Sequence, residues 1–89
     1  MERKDEILST LLGKVGGNKE PEDHPTPCNV VADLTHLPLD YVISLSQELA
    51  EEGFIAISTL HDPPLLYLTL PGVARARRHY NLGQDKLSA

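Results

Sequence analysis

Proline and glycine cut this chain into pieces whose lengths and apolar spacing leave few ways to fold. Gly16-Gly17, then Pro21, Pro25 and Pro27, then Pro38, Gly53, Pro63-Pro64 and Pro71-Gly72 punctuate it from end to end. Before the first break, Ile7, Leu8, Leu11, Leu12 and Val15 fall at i, i+1, i+4, i+5 and i+8, the stripe of an amphipathic helix over 2–15. Asn18 to Pro27 is polar and reads as an exposed loop, with room for a short extended piece beside Thr26. Thr26-Pro27 then suits a helix start, with threonine as cap and proline in the first turn, and Val30, Val31 and Leu34 give a short second helix. After Pro38, Val42, Leu45 and Leu49 share one helical face while Asp40, Ser44, Gln47, Glu48 and Glu51 share the other.

Gly53 stops this third helix. Phe54–Leu60 and Leu65–Leu70 are two β-prone runs around His61-Asp62-Pro63-Pro64, whose prolines exclude tight main-chain pairing at the tip. Pro71 and Gly72 open a last helix to about Tyr80, with Val73, Ala76 and Tyr80 as a narrow apolar stripe for packing on the first helix or on a second subunit. The expected organisation is one domain over 1–80 and a frayed tail over 81–89. With 89 residues and a single cysteine, the chain has room for one modest core held by packing rather than by a disulfide. No run is long enough to cross a bilayer and no apolar signal segment follows Met1, so the expectation is a cytoplasmic protein without membrane association.

The order helix, helix, helix, hairpin, helix is that of a winged helix-turn-helix, an α+β fold with three helices, a two-stranded wing and a C-terminal helix. From Val30 to Tyr80 the chain resembles the bacterial MarR-like and PadR-like regulators. Leu37 matches their turn leucine, Val42 the buried valine opening the recognition helix, Leu49 the leucine seven residues on, and Gly53 the glycine before the wing. Leu68-Thr69-Leu70-Pro71-Gly72 is similar to the Leu-Thr-x-x-Gly segment that leads from the wing into the next helix. The resemblance implies a DNA-binding transcription regulator, often a homodimer, with double-stranded DNA as partner. Where those families commonly carry Arg or Lys on the recognition helix, this chain has Ile43, Ser44, Gln47 and Glu48, and the Asp-Arg pair of their wing tip is replaced by Asp62-Pro63-Pro64.

Charge opposes that function. All eight cations lie outside a stretch from Glu20 to Ala74 that has neither lysine nor arginine, and the formal net charge is −5. Since counterion release by Lys and Arg supplies most non-specific DNA affinity, any DNA binding must draw its cations from the flanks. On that reading Ser44 and Gln47 contact base edges, Asn29 and the first amides of the second helix meet a phosphate, and Arg3, Lys4, Arg75 and Arg78 serve the backbone. The alternative is a protein-interaction module in which the acidic helix, through Asp40, Glu48 and Glu51, meets a basic partner, with Leu66 and Tyr67 in an apolar strip along the wing.

Cofactor, metal and catalytic readings find little footing. His24 and Cys28 are separated by two prolines and lack further ligands for a tetrahedral set. No phosphate loop or nucleophile elbow is present, so the expectation is a non-enzyme without cofactor. Cys28, near a helix N-terminus, is at most a candidate redox-sensitive thiol.

Overall fold

A computed structural model describes residues 3–17 and 19–78. The first stripe becomes helix α1 (Arg3–Val15), with Ile7, Leu8, Leu11 and Val15 buried. A 3-10 turn (Pro21–Asp23) leads to strand β1 (Thr26–Pro27), followed by α2 (Cys28–Thr35), α3 (Leu39–Glu51), β2 (Ile55–Ser58), β3 (Leu65–Leu68) and a helix α4 over 70–78. Tyr80 and the 81–89 tail lie outside the described residues. The architecture is α+β: α1, α2 and α3 pack on one another around the core, and a small antiparallel sheet in the order β1-β3-β2 closes one side. This is the layout of a winged-helix-like fold, with one strand more than the two-stranded wing expected.

That extra strand explains a shifted helix start. Thr26 pairs with Leu66 and is buried in the sheet, so it does not cap α2. Its branched Cβ suits extended backbone, and pairing takes it out of reach of the helix. Pro27 occupies the N-cap position without a side-chain cap, and the Cys28 amide donates instead to the Pro64 carbonyl at 3.0 Å. Leu34, assigned to the apolar face of α2, is half exposed, because it sits in the last turn on the rim of the α1–α2 groove. His36 then reverses the chain in the left-handed region at φ 59°, where its amide and that of Leu37 both donate to the Ala32 carbonyl.

The other end of α3 follows a recognisable rule. Gly53, at φ 86°, donates to the Ala50 carbonyl, and Phe54 donates to that of Leu49, the paired bonds of a Schellman cap. The chain can then turn directly into β2, whose Ile55 pairs with Leu68 and Ser58 with Leu65. The strands are shorter than the β-prone runs, leaving Leu60 and Leu70 largely exposed.

Thr69 joins the wing to α4. Its hydroxyl donates to the Gly53 carbonyl at 2.6 Å and accepts the Gly72 amide at 3.1 Å, so one side chain caps α4 and ties it to the end of α3. Gly72 is required for the same joint, because a Cβ there would collide with the Phe54 carbonyl. The Leu-Thr-x-x-Gly resemblance therefore has a physical basis. Val73 and Ala76 of α4 enter the single core that contains the buried stripes of α1, α2 and α3.

Candidate functional site

The face of α3 opposite its core stripe is the candidate site. Val42, Leu45, Ser46 and Leu49 point inward and are buried, which turns Asp40, Tyr41, Ser44, Gln47, Glu48 and Glu51 outward. Tyr41, Ser44 and Gln47 recur every three residues and make an uncharged polar row along the exposed surface. Tyr41 was missing from the sequence-derived set. Its three-residue spacing from Ser44 is the signal that places it in the row.

The carboxylates are distributed unevenly along this helix. Asp40 opens it, whereas Glu48, Glu51 and Glu52 gather at its far end. There α1 intervenes: Lys4 Nζ lies 2.8 Å from Glu52 Oε1 and 3.7 Å from Glu48 Oε1. Lys4 is thus an internal counterion for the acidic end of α3.

Of the other nominated cations, Arg3 and Arg75 are also engaged. Arg3 pairs with Glu6 one turn along its own helix at 2.9 Å, on the surface, and the hydrogen bond to that carboxylate, with its charge, holds the guanidinium pKa above the ordinary value. Arg75 Nε donates to Asp5 Oδ1 at 2.7 Å, where the Asp5 side chain is only 5% exposed, and its guanidinium stacks 4.7 Å over the Phe54 ring. Arg75 is therefore built into the joint between α1 and α4. Arg77 and Arg78 are exposed and make no ion pair with a described residue, as do Lys14 and Lys19.

Asn29 is exposed at the start of α2, but the Cys28 amide beside it is already bonded to the wing. The expected phosphate seat at this helix end is reduced accordingly. The wing strip also changes: Leu66 is fully buried as a core residue of β3, since the pleat that turns Tyr67 outward turns Leu66 in. Tyr67 remains half-buried and Leu60 is the apolar group at the wing's exposed end.

Between α2, α3 and the wing lies a cleft of about 210 Å³ lined by Cys28, Ile43, Ser46, Gln47, Ile57, Thr59 and Pro64. Ser46 is fully buried and its Oγ has no hydrogen-bond partner among the described residues. Cys28 is 1% exposed, and burial pushes its thiol pKa up, opposite to the lowering a reactive cysteine needs.

Among the described residues no helix is long and apolar enough to cross a membrane, and no three His, Cys, Asp or Glu side chains gather as a metal site. No family model and no curated protein matches the sequence. A solved structure matches in fold: that of a proposed DNA-binding protein from Ralstonia eutropha JMP134 superposes with a TM-score of 0.69 at 18% identity, covering 90% of this chain and 98% of that one. What the two chains share at this identity is the fold, across nearly the full length of both.

Proposed function

We propose that this chain is a small winged-helix DNA-binding protein of the transcription-regulator kind. The observation that carries the reading is the uncovered polar row Tyr41, Ser44 and Gln47, set on α3 beside the wing. Recognition helices of this architecture present their N-terminal residues to base edges, and in that half of α3 the outward carboxylate is Asp40. Ser44 and Gln47 are competent for base-edge hydrogen bonds, and Asn29 and Tyr41 for sugar or phosphate. Lys4 supports the reading indirectly by offsetting Glu48 and Glu52. The description of the Ralstonia protein as a proposed DNA-binding protein points the same way.

Backbone affinity on this reading comes from Arg77 and Arg78, with Arg3 able to exchange its exposed Glu6 partner for a phosphate. A homodimer formed through the region of α4 would double that supply and match a palindromic site. Two phosphates neutralised per subunit give a slope of log affinity on log salt of about −2 for a monomer and about −4 for the dimer. Fluorescence polarisation with random duplex at low salt tests the proposal. Saturable binding with that shallow slope supports it, and no binding near ~100 μM protein, the weak end of the non-specific range, overturns it.

A second reading is favoured by one observation: Arg3, Lys4 and Arg75 all spend their charge on carboxylates of this chain. On that reading Asp40, Glu48 and Glu51 meet a basic protein, with Tyr67 and Leu60 at the edge of the contact. Neutralising Asp40 and Glu51 as Asn and Gln separates the two. DNA affinity rises if DNA lies on this face, whereas capture of a lysine-rich peptide falls if a basic partner does.

A further inference from the structure

We infer that His36 and His61 are phosphate contacts of the central elements, so that protonation of their two imidazoles couples duplex binding to pH. The inference rests on the DNA-binding reading and supplies charge where that reading lacks it. Between Glu20 and Ala74 there is neither lysine nor arginine, and the side chains of that stretch able to become cationic near neutral pH are His24, His36 and His61.

Placement separates the three. His36 is exposed in the turn between α2 and α3, three residues before Leu39 opens the helix whose first half carries Tyr41 and Ser44. His61 is exposed at the wing tip, two residues beyond Thr59, which lines the same cleft as Gln47. The polar row is thus bracketed, with His36 at its start and His61 on its wing side. The hydrogen bond from the Cys28 amide to the Pro64 carbonyl fastens the wing beside α2 and holds that bracket in place. His24 precedes β1, at the sheet edge opposite β2, the strand that packs on α3.

The backbone at His36 is an independent sign. It holds φ 59°, a left-handed conformation that glycine adopts at lower cost, and side chains kept at such positions gather at functional sites. The charged surroundings of both histidines are dominated by carboxylates. Asp33 and Asp40 flank His36 along the chain, and Glu6 of α1, paired with Arg3, lines the groove beside Thr35. Asp62 adjoins His61, the 3-10 turn packed on β3 brings Glu22 and Asp23, and the α2 and α3 residues that line the cleft are uncharged. Each imidazolium therefore offsets a neighbouring carboxylate as well as meeting a phosphate. In the neutral form the carboxylates repel the duplex unopposed, so binding weakens as pH rises.

Fluorescence polarisation of the full chain with random duplex, over a salt series at about pH 8 and about pH 6, tests the inference. The expected result is affinity about tenfold tighter at the lower pH, with a salt slope steeper by about two per subunit, the worth of two added phosphate contacts. His36→Asn, which suits the left-handed turn, and His61→Gln should each remove about one of that gain in slope, whereas His24→Gln should remove none. His61→Lys should keep its contact at both pH values and so tighten binding several-fold at about pH 8. Equal affinity at both pH values, a pH effect that survives the double variant of His36 and His61, or one abolished by His24→Gln alone would overturn this inference and leave the DNA-binding reading standing. Absence of binding at both pH values would overturn the two together.

Discussion

Replacing Arg75 with Met measures whether this arginine is part of the scaffold or a surface cation available to a ligand. Its Nε is 2.7 Å from Asp5 Oδ1, with the carboxylate side chain 5% and the arginine side chain 20% exposed. Breaking a fully buried pair by removing one partner costs about 3–5 kcal/mol, because the remaining charge is stranded in a poor solvent. The partial exposure of Arg75 lets water reach one side of the site, which lowers the expected cost to about 2–3 kcal/mol. Losing the guanidinium over Phe54 adds about 0.5–1 kcal/mol, while methionine keeps much of the stem's packing. The total is about 3 kcal/mol, equivalent to a fall in Tm of about 12–24 °C for a domain of this size.

Urea unfolding of Arg75→Met, of Asp5→Asn and of the double variant gives the assay. The double variant should recover roughly half of the loss, since an amide left without the guanidinium is far cheaper to bury than a carboxylate. A loss below about 1 kcal/mol in Arg75→Met would place the pair with ordinary surface ion pairs and return Arg75 to the pool of cations available to DNA.

Gly72→Ala should cost more than Thr69→Ala: the first forces a methyl against the Phe54 carbonyl, and the second removes a cap worth about 1 kcal/mol, an order checked by thermal unfolding. Lys4→Met should change stability by less than about 1 kcal/mol, its partners being 55% and 42% exposed, yet weaken duplex binding several-fold in polarisation by leaving Glu48 and Glu52 unopposed. Cys28 should resist iodoacetamide at pH 8 in the folded chain and react readily in urea. Because burial raises its pKa, the fold holds the thiol proton more tightly than the unfolded chain does. Stability should therefore be unaffected by this group at low pH and decline above about pH 8.5, where the unfolded thiol ionises first; Cys28→Ser should flatten that decline.

Elements announced by local rules were legible from sequence. The stripes of α1 and α3 and the Gly53 stop depend on residues within a turn or two of one another and appear where the spacing places them, whereas Thr69 and Gly72 were singled out by the resemblance and owe their roles to Gly53 and Phe54 across the fold. Strand β1 was not legible, because a two-residue strand containing proline has no period and exists only through its pairing with β3. The outward direction of Ser44 and Gln47 followed from periodicity, and so did the burial of Leu49. What could not be read was how the flanking cations are used. Arg75 finds Asp5 across a sequence separation of 70 residues and Lys4 finds Glu52 across 48, pairings that no local pattern encodes. Leu66 illustrates the same limit on a smaller scale. Alternation says that Leu66 and Tyr67 face opposite ways, but only the packed sheet says which of them faces in.

The contact between Asp5 and Arg75 also bears on how the domain comes apart. It joins the first turn of α1 to the middle of α4, so the described chain is fastened almost end to end through a carboxylate that is 5% exposed. Fraying either helix alone would strip that carboxylate of its guanidinium before much of the core had opened, removing the low-energy local openings usual at chain ends. The amides that follow Asp5 in α1 should accordingly exchange with solvent through global unfolding, at rates close to those of Leu49 in the middle of the core.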